Sequence, residues 1–233
     1  MIKDYVALDL ETTGVNPAGD RIIEIGMIKV IEGRVTDKYS TLINPGFKIP
    51  ERVKDLTHIT NEDVIGKPRI EDVIGEVIEF IGDYPIMGHN VIFDYSFLKK
   101  AAVNNGYELV CNGIDTLKMA RRIYPELEHK NLDYLCSYLG IDPGNSHRAL
   151  DDAMSSSNIY WKMYEKKPDD SGFEFTNTLV YSVKKDSPIT AAQKKYVNAL
   201  IKKHNIVLEI PVDEMTKSMA SRTIDKIISE YGK

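Results

Sequence analysis

Several things are scarce in this 233-residue chain, and each scarcity closes off a class of protein. Cysteine occurs twice, at Cys111 and Cys136, without a metal-chelating spacing. With no secretory leader pattern ahead of the first strand, these two point to reduced, buried thiols in a cytoplasmic protein and exclude a disulfide scaffold. No apolar run reaches the ~20 residues of a membrane span, so no membrane partner is expected. Internal repeats and low-complexity tracts are missing, which removes solenoids and disordered arrays. Positive charge is in deficit, with 30 Lys and Arg against 35 Asp and Glu. A protein that coats duplex DNA needs the opposite balance, because its cations must displace counterions from phosphates. An acidic chain can still grip a short strand end where divalent ions supply the local positive charge.

What is present suits one sizeable domain with a small appendage: 42% hydrophobic and 28% charged residues. Val6, Leu8 and Leu10 alternate with Ala7, Asp9 and Glu11, a period of two that marks a strand. Asp9 and Glu11 share one face at its C-terminal end. Runs at Arg21–Val30 and Arg34–Ile43, joined near Gly33, complete a predicted antiparallel meander that Asn44-Pro45-Gly46 ends. Asn61 reads as a helix N-cap, and residues 70–81 carry apolar positions at helical intervals. Further expected elements are a short strand at Pro85–Gly88, a helix at Asp94–Asn104, a strand near Ile114 and a helix from Thr116. Helices at Asn131–Leu139 and from Ala149 to about Tyr164 complete the set. Strands followed by alternating helices and strands imply an α/β fold, a mixed sheet covered by helices. The composition shifts at Lys166–Gly172. The expected domains are therefore 1–166, a linker at 167–186 that is β-rich from Phe173 to Lys184, and a small helical unit at 187–233.

Three segments concentrate chemistry. They are Asp9-Leu10-Glu11-Thr12-Thr13-Gly14, His89-Asn90-Val91-Ile92-Phe93-Asp94 and His147-Arg148-Ala149-Leu150-Asp151-Asp152. Phosphodiester cleavage at a pair of divalent ions needs several hard oxygen ligands, which these carboxylates offer. An imidazole, which as a group titrates near pH ~6.5, suits the base that takes a proton from water. By helical spacing alone Asp151, four residues after His147, competes with Asp152, five after. His89 reads as a residue that orders the loop before Asp94.

In this order and spacing the segments resemble the three motifs of the DEDDh 3′–5′ exonucleases. Lesser matches lie at Arg21–Gly26, Ile114–Leu117 and Asn131–Ile141, and the likeness covers roughly residues 2–165. The resemblance implies a ribonuclease H-like, five-stranded mixed sheet flanked by helices. It implies that Asp9, Glu11, Asp94 and Asp152 hold two divalent ions, Mg²⁺ or Mn²⁺, and that His147 is the general base. It also selects Asp152 over Asp151. Leu10, Thr12, Thr13, Gly14, His58, Asn90 and Phe93 would line the place of the terminal nucleotide. His58 stands where many relatives have glycine. The implied substrate is a single-stranded DNA 3′ end, with RNA as the rival, and the implied protein partner is a DNA polymerase or helicase. A purely adaptor role is the remaining alternative.

In the C-terminal unit, Thr190-Ala191-Ala192-Gln193 fits a capping box, and Thr216 fits the cap of a second helix. Tyr196, Val197, Leu200 and Ile201 form an apolar stripe on the first, and Met219, Ile224, Ile227 and Ile228 one on the second. The layout resembles SAP-type DNA-binding modules. Lys194, Lys195, Lys202, Lys203, Lys217, Arg222 and Lys226 are expected to present a phosphate-binding face.

Overall fold

The alternating side chains of strand β1 (Tyr5–Thr12) serve two cores, one on each face of a sheet. The structure is a computed structural model describing residues 1–208 and 210–232. Glu209 and Lys233, both within the expected C-terminal unit, lie outside the described residues. Val6, Leu8 and Leu10 join one core with Val73, Ile74, Val77 and Ile81 of helix α2 (Ile70–Ile81) and with α3 (Val91–Asn104). Each of the four buried α2 side chains contributes about 1.5–3 kcal/mol by leaving water. Tyr5 and Ala7 point the other way, into a core with α4 (Thr116–Ile123), α5 (Leu132–Leu139) and α6 (Ala149–Lys166). Asp9 and Glu11 continue this second face beyond the apolar residues.

β1 pairs antiparallel with β2 (Ile22–Ile31), which pairs antiparallel with β3 (Arg34–Leu42). On its other side β1 runs parallel to β4 (Ile86–Gly88), and β4 runs parallel to β5 (Asn112–Asp115). The expected sheet had five strands, but there are six, in the order β3-β2-β1-β4-β5-β6. The sixth, β6 (Asn177–Thr178), comes from the segment read as linker and pairs with β5. Two residues are too short to show a periodicity, and the signal lies elsewhere: Leu179 packs where a side chain on Gly113 would stand. Buried Phe173 and its carbonyl, bonded to the Ile2 amide at 2.7 Å, also fasten this segment to the body.

Helix α1 (Glu51–Thr57) was not expected, and Asn61 caps no helix. The Asn61 side chain instead accepts from the Ile49 amide at 2.8 Å, while α2 starts nine residues later, where Asp72 accepts from Arg69 N–H at 2.8 Å. Helix α3 begins three residues before Asp94, so Asp94 lies inside the first turn. Asn131 caps α5 through the Tyr134 amide, and Gly140 ends it in the left-handed region at φ 65°. Cys111 and Cys136 are buried and free, and burial pushes the Cys111 thiol up to about 11.

C-terminally, α7 (Ala191–His204) and α8 (Lys217–Tyr231) pack on each other around Val197, Met215 and Ala220. Thr190 caps α7 with Gln193 completing the box, and Thr216 caps α8. Tyr196 departs from the expected stripe and is exposed. His204 lies half-buried against the Tyr231 ring. Among the described residues no helix is long and apolar enough to cross a membrane.

Candidate active site

The site forms where β1 outruns its parallel neighbour. β4 pairs with β1 only at Val6 and Ala7, so the Leu10 amide beyond it has no strand partner on that side. Asp94, brought across by the first turn of α3, accepts from that amide at 3.1 Å. The Leu10 side chain faces away into the core, 4% exposed. A register shift between Glu11 and Thr12 interrupts the pairing with β2. Such bulges re-aim side chains at strand ends.

Opposite Asp9 in the β1–β2 ladder stands Gly26. A side chain there would lie 2.1 Å from the backbone of Ala149 and Leu150. Glycine therefore lets the start of α6 rest directly on the sheet. Opposite Glu11 stands Glu24, buried to 1% exposure and the one acid in a strand whose only other charged residue is Lys29. Two carboxylates facing each other across strands repel. Glu24 is paired with Arg148 through contacts of 2.7–3.2 Å and accepts from the Ala149 amide at 3.1 Å. This pair pins the N-terminus of α6 over Gly26. Sequence reasoning gave Glu24, Gly26 and Arg148 no role. Their signal was a lone acid and a glycine inside an apolar run.

α6 carries Asp152 toward the sheet, 6% exposed, where its carboxylate accepts from the His147 amide at 3.2 Å. Asp151 turns outward and accepts from Asn145 N–H at 3.0 Å. His147 itself is left-handed, φ 62°, an uncommon backbone state for a side chain that is not glycine. Its ring lies 3.9 Å from Asp133 and is 38% exposed. Ligand atoms of Glu11, His147 and Asp152 all lie within 4.8 Å of one another. The sequence reading gave His147 the part of a base alone, and the geometry also makes it a possible ligand.

Charge crowding follows from this packing. Burial, then Asp94, Asp152, Glu11 and Glu24, holds the Asp9 carboxyl well above the usual carboxylate range. Burial and the charges of Asp152, Glu24 and Asp94 push Glu11 up to about 8, against the pull of Arg148. Burial takes Asp94 to about 8, although its hydrogen bonds from backbone amides lower it. Burial raises Asp152 to about 6, opposed by His147. Carboxyls driven up together are a set in which a hard divalent cation would relieve both repulsion and lost hydration. The donor set thus fits such ions.

The remaining expected residues lie at the end of β1 and the loop after it, around the start of α3 and at the end of α1. Thr13 is buried and locked to Arg21 by its amide at 2.8 Å and its hydroxyl at 2.9 Å. Thr12 donates to the Gly14 carbonyl at 2.7 Å, and a side chain on Gly14 would collide with the Asp20 carboxylate. Asn90, left-handed at φ 75°, precedes α3, and Phe93 packs against Phe97 with ring centres 5.1 Å apart. His89 bridges Thr116 and the Lys130 carbonyl at 2.9 and 2.7 Å, holding the loop before Asp94. His58 is exposed at the left-handed C-cap of α1, φ 57°. That conformation favours glycine. No contact joins His58 to the carboxylates among the described residues; Asp63, in the turn that follows, feels the Arg148 charge.

Residues 6–160 match the exonuclease family model RNase_T. The DNA polymerase III subunit epsilon of Aquifex aeolicus is 37% identical over 163 residues, covering 70% of this chain and 81% of that protein. A PolC-type DNA polymerase III of Clostridium perfringens is 36% identical over 176 residues, covering 76% of this chain. The chain spans only 12% of that polymerase. Among solved structures, exonuclease X in complex with 5′ overhanging duplex DNA superposes with a TM-score of 0.56 at 27% identity, covering 71% of this chain and 93% of that one.

Proposed function

The chain belongs to the exonuclease family, and on that premise we propose that it is a metal-dependent 3′–5′ exonuclease releasing nucleoside 5′-monophosphates from single-stranded DNA ends. The observation that carries this reading is the convergence of Glu11, His147 and Asp152 within 4.8 Å, beside an Asp9 crowded by Asp94 and Asp152. Asp9, Glu11, Asp94 and Asp152 would hold two divalent ions, Mg²⁺ or Mn²⁺. When bound, the ions supply Lewis acidity toward water and the phosphate oxygens.

The chain's own groups do the rest. His147 takes the proton of the attacking water, whose oxygen bonds to phosphorus as the P–O3′ bond breaks. The shortened strand leaves with its O3′ reprotonated from solvent, and the monophosphate leaves with the new oxygen. Arg148 holds Glu24 neutralised, so that α6 keeps His147 and Asp152 over the sheet. The backbone of Thr12 and Thr13, with Gly14, Asn90 and Phe93, would receive the terminal nucleotide, and His58 would stand at its edge; Leu10, its side chain in the core, would serve only by holding Asp94.

A DNA polymerase is the protein partner we retain, because the relatives named above are a polymerase subunit and a polymerase. Neither of these names a helicase. The test is digestion of matched DNA and RNA oligomers, single-stranded and duplex, with Mg²⁺ and with Mn²⁺. Faster loss of single-stranded DNA is the expected result. Preference for RNA would overturn the substrate, and no hydrolysis of any strand would overturn the reading.

A further inference from the structure

The lysines expected to form one face of the C-terminal unit do not stay together. Arg222 turns into the body and donates to the Ala18 carbonyl at 2.6 Å, lying where a side chain on Gly19 would be. Lys194 pairs with Asp213, and Lys226 lies 4.0 Å from Glu230. Positive charge gathers elsewhere. A cleft of about 310 Å³ opens between the loop at Ala18, the end of α3 at Lys100, the chain at Lys184 and Lys185, and the start of α8 at Lys217 and Ser218. Four ammonium groups line it against one carboxylate, Asp186, in a chain whose net charge is −5. Among the described residues, Lys184, Lys185 and Lys217 have no ion-pair partner, whereas Lys100 bonds Asp186 at 2.6 Å.

The walls are fixed. Asp186 and Asn104 exchange hydrogen bonds of 2.9 and 3.0 Å, which holds the two preceding lysines beside α3. The Lys217 amide donates to the Ser187 carbonyl at 2.8 Å, and Pro188 bridges to Thr216, which fixes α8 to the same strand. The cleft is also close to the carboxylates. Lys100 follows Asp94 by six residues on one helix, about 9 Å along its axis. Ala18 follows Thr13 by five residues, at most about 18 Å. At ~3.4 Å per nucleotide of a stacked strand, these two spans correspond to about three to five nucleotides.

We propose that this cleft binds the phosphate backbone of single-stranded nucleic acid about three to five nucleotides upstream of the 3′ end being cut. The inference rests on the exonuclease reading above and deepens it. It assigns strand capture to a junction of α3, the β6–α7 connection and α8, and gives Lys184, Lys185 and Lys217 the phosphate contacts. Each lysine lost should lower the dependence of binding on salt, by ~0.7 in the slope of log affinity against log salt.

The test uses the full chain in chelator, where a labelled 20-nucleotide strand is bound and not cut. K184E/K185E/K217E should weaken binding at least about tenfold at low salt and reduce that slope by ~2. K195E/K202E/K226E carries the same change of charge away from the cleft and should have a much smaller effect. Equal weakening by both triple variants would show a response to net charge only and overturn the site, as would wild-type binding and slope in the first. Hydrolysis by the wild-type chain with divalent ion is measured in parallel. If the wild type cuts strands and the cleft variant binds normally, the cleft is wrong and the exonuclease reading stands. If the cleft variant loses binding while the wild type cuts nothing, the reverse holds.

Discussion

The body and the C-terminal helical pair handle charge in opposite ways. The body buries it: Glu24, Asp94 and Asp152 are each 6% exposed or less. Among the described residues, α7 and α8 bury none, and their core closes on Val197, Met215 and Ala220 with partly covered neighbours. Burying a carboxylate costs several kcal/mol unless something offsets it. For Glu24 the offset is Arg148; for the others it is hydrogen bonds and, in the proposal, metal. The difference teaches where to look for chemistry: buried charge marks the reacting centre, and solvated lysines mark at most a contact surface.

The comparison breaks first at the carboxylates. Asp152→Asn should reduce hydrolysis to background, as should Asp9→Ala, while Asp151→Asn should keep most of it, because Asp151 faces Asn145. Equal rates for the two asparagine variants would show that burial does not identify the ligand. His147→Ala should lower kcat by about 10²–10⁴, with metal affinity falling less than in Asp152→Ala. A calorimetric titration in which His147→Ala loses more affinity would make the imidazole chiefly a ligand.

Stability sharpens the same contrast. Glu11 and Asp94 are raised in the folded state, so the fold holds more protons than the unfolded chain between about pH 4.5 and 8. Stability of the body in chelator should therefore fall as pH rises through that window, and Mg²⁺ should restore it. A thermal melt flat across this range would remove the crowding from the account. The smallest effect belongs to the helical pair. Thr190→Ala removes the cap that receives the Gln193 amide and should cost about 1 kcal/mol in α7. Amide exchange should quicken in residues 191–204 and leave β1 unchanged. Equal loss of protection in both would mean that the two regions fold as one unit.

The fold class was legible in the sequence, and the residues of the candidate site were named from it, but not the local contacts around them. Strand alternation puts Asp9 and Glu11 on one face, whereas helical spacing left Asp151 and Asp152 in competition and only the resemblance chose Asp152, the one whose side chain is buried. Glu24 and Gly26 lay in a segment that matches the family and stood out in an apolar run, but their roles were not legible, since their partners lie about 125 positions away in α6. The short strand β6 and helix α1 escaped for another reason. Two or seven residues carry too little periodicity, and tertiary contacts such as Leu179 over Gly113 decide them. The caps of α7 and α8 were legible because capping is local. The placement of Arg222 on Ala18 was not, because nothing in a helical pattern says which charged residue turns toward a distant loop.

The most direct measurement follows single-stranded DNA labelled at its 5′ end in one reaction and at its 3′ terminal nucleotide in another, with Mg²⁺ and the purified chain. The account predicts immediate release of the 3′ label as a nucleoside 5′-monophosphate, a ladder shortening from that end in the 5′-labelled strand, and neither with Asp9→Ala. Release of the 5′ label first, internal cuts, or undiminished activity in Asp9→Ala would contradict it.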